Sequence, residues 1–207
     1  MPLRLNGRWH LLIWPCLVTV VALPIAVAAA SPLLAWREPV YIAAGFAGVI
    51  AMAFLLLQPL LVAGYLPGLR GIRGRQLHYW AGAGLLVAVV LHVAGLWITS
   101  PPDVIDALLL RSPTPFSLWG VIALWAVLGA ALLGVFRRRF HLRLQLWRFL
   151  HSALAGIVVI GSIIHALQID GTMGTLSKIM LCVTALVATV SALVKRKSWV
   201  FLSRGKP

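Results

Sequence analysis

The chain has 207 residues, 61% of them hydrophobic and 11% charged, with a mean hydropathy of +0.98. A soluble domain is about half apolar and a quarter charged, so a soluble globular protein is excluded and an all-α integral membrane protein is expected. The net charge of +14 does not point to nucleic acid in such a chain, because basic cytoplasmic loops give the same excess.

Polar or Pro/Gly-rich breaks divide the sequence into six apolar segments, at about 9–30, 40–63, 77–98, 116–136, 149–168 and 176–194. Each is near the roughly 20 residues that a spanning helix needs. The pattern predicts a single six-helix transmembrane domain over residues 1–207. Pro15 and Pro24 fall in the first segment and are expected to bend it. A rival reading of that segment is a signal peptide: Arg4 and Arg8, an apolar run, then Ala28, Ala29 and Ala30. Cleavage there would leave five spans with their orientation unchanged. Cys16 and Cys182 lie inside apolar segments and read as small buried hydrophobes.

Loop charges orient the helices. The N-terminus, the loop before the third span, the 137–148 loop and the C-terminal tail hold fifteen basic residues and no acid. The intervening loops hold only Arg37, Arg111 and Lys178, with all four acids, Glu38, Asp103, Asp106 and Asp170. The positive-inside rule therefore predicts both termini in the cytoplasm. The third and fifth spans both start in the cytoplasm and run parallel.

Those two spans carry an echoed pattern. Arg75-x-x-His78 opens the third and Arg148-x-x-His151 opens the fifth; His92 and His165 each follow fourteen residues after the first histidine. Fourteen residues return to within about 40° of the same helix face, roughly 21 Å further along the axis. His78 and His151 are expected to share a level near the cytoplasmic surface, and His92 and His165 a level near the outer one. Intramembrane ionisable residues are costly and are functional candidates. One zinc ion cannot span two levels, and an ion at either level would lack further ligands. Two facing imidazoles per level suit two flat macrocycles, each iron held by one histidine from each helix.

The surroundings agree with that arrangement. Gly82, Gly156 and Gly161 are candidates for making room beside the histidines, and Leu85 and Val158 for filling the space between the levels. Arg75 and Arg148 are placed to pair with carboxylates of an inner group, and Arg37 or Arg111 with those of an outer one. Trp97, Trp119 and Trp147 read as interfacial anchors, as do His10 and His141. Arg137, Arg138 and Arg139 read as a topology signal and, secondarily, as a docking surface for an acidic partner or anionic lipid. The outward-facing Asp103, Asp106 and Asp170 would attract a cationic acceptor. No catalytic residue is assigned, and no Walker or dinucleotide fingerprint occurs.

These features resemble the ferric-reductase-like transmembrane domain, the haem core shared by ferric reductases, NADPH oxidases and the membrane subunit of the periplasmic methionine sulfoxide reductase system. The resemblance is strongest from about Arg70 to Gln168. It implies two b haems, with His78 and His151 as ligands of the inner and His92 and His165 of the outer. The chain lacks the fused flavin and nicotinamide domain of the large eukaryotic members and looks more like short bacterial stand-alone members. A bacterial inner-membrane location is therefore expected.

The leading expectation is an electron conduit from a separate cytoplasmic-side donor, a flavoprotein or quinol, to a separate acceptor on the outer face. A flavin or quinone would be supplied by or shared with a partner. A quinol-linked cytochrome b subunit is a second reading. A non-redox scaffold or carrier, with histidines as polar packing elements, is a third.

Overall fold

A computed structural model of the chain describes residues 7–137, 139 and 141–196. Arg4, Arg138, Lys197, Arg204 and Lys206 lie outside the described residues, as do the side chains of Arg8, His10 and Arg196.

The described chain is all-helical: α1 (Gly7–Ala29), α2 (Pro39–Ala63), α3 (Ile72–Thr99), α4 (Pro101–Leu108), α5 (Pro115–Val135), α6 (Leu144–Gln168) and α7 (Thr175–Arg196). All but α4 are long and apolar enough to cross a membrane, so the chain is built as a six-span, multi-pass protein. Prolines start α2, α4 and α5 in their first turns, where the missing N–H costs nothing. α1 runs through Pro15 and Pro24 as one helix, and Thr19 Oγ1 donates to the Pro15 carbonyl.

Two differences from the sequence reading bear on the site. α3 and α6 each begin five residues before the apolar run, at Ile72 and Leu144. Arg75 and Arg148 therefore stand within the helices, because charged residues extend a helix beyond the hydrocarbon at no cost. The second difference is α4, in the segment read as an outer loop: Ser100 ends α3, and Pro101 restarts the chain as an eight-residue helix.

Short turns fold α2 onto α3 and α5 onto α6 as two helical hairpins. The first turns at Gly64, which caps α2 in the left-handed region at φ 67° and donates to the Leu60 and Leu61 carbonyls. Packing then runs from α3 to α2, α7, α6, α5 and back to α3, closing a ring of five helices, with α1 outside against α7 and α2. α3 and α6 stand apart across this ring. Its middle is filled by one apolar cluster that includes Leu56, Leu85, Val127, Val158, Leu181 and Ala185. Leu85 and Val158 are thus buried midway between the histidine levels. Cys182 is buried in the same cluster, whereas Cys16 is exposed on α1, which has packing partners on one side only. Large apolar side chains such as Trp36, Leu11, Trp80 and Trp125 lie on the outside, as a hydrocarbon environment permits.

Candidate functional site: two histidine pairs between two hairpins

The structure brings the four histidines together in two pairs. The ring centres of His78 and His151 are 6.3 Å apart with planes inclined at 77°. Those of His92 and His165 are 6.4 Å apart at 79°. The two levels thus repeat the same geometry. We call the end that carries the 64–71 and 136–143 loops the inner end; His78 and His151 lie toward it.

Three of the four histidines are held by a hydrogen bond to the other helix of their own hairpin. His92 Nδ1 donates to the Ala44 carbonyl at 2.8 Å, and His165 Nδ1 donates to the Phe116 carbonyl at 2.8 Å. His78 Nδ1 donates to the Gln58 carbonyl at 3.3 Å. His151 Nδ1 is buried and faces the Ala130 carbonyl without closing a hydrogen bond. The four carbonyls repeat like the histidines. Ala44 and Gln58 are fourteen residues apart on α2, and Phe116 and Ala130 are fourteen apart on α5. Because a carbonyl only accepts, each bond places the proton on Nδ1. Nε2 is left with its lone pair, turned away from the acceptor helix.

Two glycines make room for the two outer bonds. A Cβ on Gly48 would stand 3.1 Å from His92 Nδ1, and one on Gly120 would stand 2.8 Å from His165 Nδ1. Each glycine lies one turn after the acceptor carbonyl, so the imidazole rests against bare backbone. Neither was singled out in the sequence. The detectable signal was a glycine on the preceding span at the depth of each outer histidine.

The glycines that were singled out have different surroundings. A Cβ at Gly82 would touch the Gln58 amide at 3.8 Å, one at Gly161 would press on the Trp119 carbonyl at 3.1 Å, and one at Gly156 would meet nothing within 4 Å. Gly161 therefore serves the approach of α6 to α5, while Gly156 opens onto free space. Arg75, Arg148 and Arg111 are exposed. Arg37 lies over the Tyr41 ring at 4.9 Å. His141 is exposed in the turn between α5 and α6.

Trp147 departs from the anchor reading. Its indole is stacked on His151, with ring centres 5.3 Å apart and planes at 10°. Its Nε1 donates to the Leu133 carbonyl at 3.0 Å, and the Arg137 guanidinium lies over the ring at 4.6 Å. The histidine without a closed Nδ1 bond is thus the one held by an aromatic face.

A cavity of about 580 Å³ opens beside the outer pair, lined by His92, His165, Gly48, Gly120, Arg37 and Lys178 among others. Its size falls within the roughly 300–1,000 Å³ usual for cofactor sites. Among the described residues no group of three or more His, Cys, Asp or Glu is arranged to hold a bare metal ion. What each level offers is a pair of imidazoles, a donor set for a metal that brings its remaining ligands with it. Comparison with protein-family models, with curated proteins and with solved structures finds no match for this chain.

Proposed function

We propose that this chain conducts electrons across a bacterial inner membrane through two bis-histidine b-type haems, in the manner of the ferric-reductase-like domain. His78 and His151 would hold the inner haem, and His92 and His165 the outer. The observation that carries this reading is the ring separation, recurring at 6.3 and 6.4 Å. Imidazoles bonded through nitrogen to one metal, at about 2.0 Å each, have ring centres roughly 6.3 Å apart. Packed aromatic rings also meet at about 4.5–7 Å, so the separation supports the reading together with the Nδ1 protons held on backbone carbonyls, which leave Nε2 free to ligate.

The hydrogen bonds support the same reading. A metal-bound histidine usually donates its other ring N–H to a carbonyl or carboxylate, which fixes the tautomer and raises the basicity of the ligand. Ala44 and Phe116 supply such acceptors at the outer level, and Gln58 at the inner. Leu85 and Val158 keep the space between the levels apolar, which excludes water from the path. When bound, haem supplies the one-electron couple, and the protein tunes its potential through these ligands and their burial. An electron moving outward is favoured by the membrane potential, by about 2.3 kcal/mol per 100 mV.

The described residues form only the helical membrane domain, and the donor is proposed to be a separate flavoprotein or quinol on the inner side. The acceptor is proposed to be a separate species on the outer side. The test is transfer in sealed proteoliposomes of haem-loaded protein oriented by its basic loops, with a membrane-impermeant reductant on the inner-end side and ferricyanide on the other. Ferricyanide reduction that disappears in His92→Ala supports the reading. Haem-loaded protein that passes no electrons, or passes them equally in His92→Ala, overturns it.

A further inference from the structure

Among the described residues Lys178 is the only buried charged side chain, with 7% exposure. It stands in the first turn of α7, and its Nζ donates to the Ile169 carbonyl at 2.6 Å. An ammonium has three donors, and no carboxylate among the described residues pairs with this one. Lys178 also lines the cavity that contains His92 and His165. Asp103 and Asp170 line the same cavity, but neither closes an ion pair with this ammonium, and a cation buried in a membrane domain without a paired carboxylate is costly and marks a functional position. Ile169 follows His165 by four residues, so the carbonyl that Lys178 bonds belongs to the backbone about 6 Å beyond that of His165 along α6. The cavity thus has two imidazoles on its walls and, of its four charged side chains, Arg37, Asp103, Asp170 and Lys178, only Lys178 is buried, which makes its ammonium the desolvated partner for a flat ligand with an acidic edge.

We infer that Lys178 anchors a carboxylate of the group that fills the outer cavity, namely a propionate of the outer porphyrin. This rests on the reading in the preceding subsection, and it assigns a role that neither the loop charges nor the histidine echo disclosed. Arg37 lines the same cavity but is exposed, so solvent screens it more than Lys178. Lys178 is therefore the residue whose loss matters. The competing account is purely structural: Lys178 ties the start of α7 to the end of α6 through Ile169 and touches no ligand.

Haem exchange separates the two accounts. Purified full-length holoprotein is equilibrated with a mixture of haemin and haemin dimethyl ester, and the proportion of each retained is read by mass spectrometry. Both levels exchange, and the difference between wild type and variant isolates the outer one. The wild type is expected to prefer the diacid, by about tenfold at the outer level for one charge-assisted hydrogen bond. Lys178→Met should abolish that part of the preference while leaving ester binding unchanged, and Lys178→Arg should restore it. A wild type indifferent to esterification, or a Met variant that keeps the full preference or loses diacid and diester alike, overturns the inference. Should the Met variant not fold, Lys178→Gln takes its place under the same criteria. A wild type that takes up no haem at all is a different result, which overturns the proposed function itself.

Discussion

Gly120 and His165 leave no room for a methyl group between them, since a Cβ on Gly120 would stand 2.8 Å from His165 Nδ1. The same holds more loosely for Gly48 and His92, at 3.1 Å. Gly120→Ala is expected to push the ring off the Phe116 carbonyl and weaken outer haem binding about 10- to 100-fold, the usual cost of losing an orienting partner. Gly48→Ala should act in the same direction and less. Gly134→Ala is the control, because its Cβ would meet nothing within 4 Å. Haem titration followed at the Soret band measures all three, and a Gly120→Ala protein that binds both haems like wild type would contradict the orienting role.

Trp147 and His151 pose the complementary test at the inner level. With no closed Nδ1 bond, His151 depends on the indole stacked against it. Trp147→Leu is expected to broaden the low-spin resonance of the inner haem in electron paramagnetic spectra and to speed loss of that haem about tenfold. Trp147→Phe, which keeps an aromatic face, should retain most of the wild-type signal. Equal behaviour of Leu and Phe would assign the effect to the lost Leu133 hydrogen bond instead.

The levels should be separable by substitution. His92→Ala or His165→Ala is expected to leave one haem per chain, held by His78 and His151, and His78→Ala should leave the other. The two single-haem proteins should have different midpoint potentials, because only the outer pair has both Nδ1 bonds at 2.8 Å. Identical potentiometric curves would argue that the pairs are not the two ligand sets.

Away from the histidines, Lys195 Nζ donates to the Ala63 carbonyl at 2.8 Å and lies 4.4 Å over the Tyr65 ring. It ties the inner end of α7 to the last turn of α2, where orphan carbonyls collect. Lys195→Met is expected to lower stability by about 1 kcal/mol, seen as an earlier unfolding midpoint in mixed micelles, with haem content unchanged.

The six spans and the four histidines were legible in the sequence because both are periodic: apolar runs of membrane length, and a fourteen-residue interval repeated on two helices. The groups that hold the histidines were not legible. Ala44, Gln58, Phe116 and Ala130 act through backbone carbonyls, which every residue carries, so only the pairing of α2 with α3 and of α5 with α6 discloses them. Gly48 and Gly120 matter through the absence of a side chain opposite a residue 44 or 45 positions away, a relation visible only after folding. Trp147 was read by its depth, yet its role depends on its direction. Lys178 was counted as an outer-side charge, and its burial follows from where α7 meets the end of α6.

The proposed function requires two b haems between the two hairpins. The most direct measurement is the haem-to-protein ratio of the purified protein, taken with its reduced-minus-oxidised spectrum. Two haems per chain with the sharp α-band of bis-histidine ligation is the predicted result. Protein purified from haem-replete cells that is folded but shows no Soret band would contradict it.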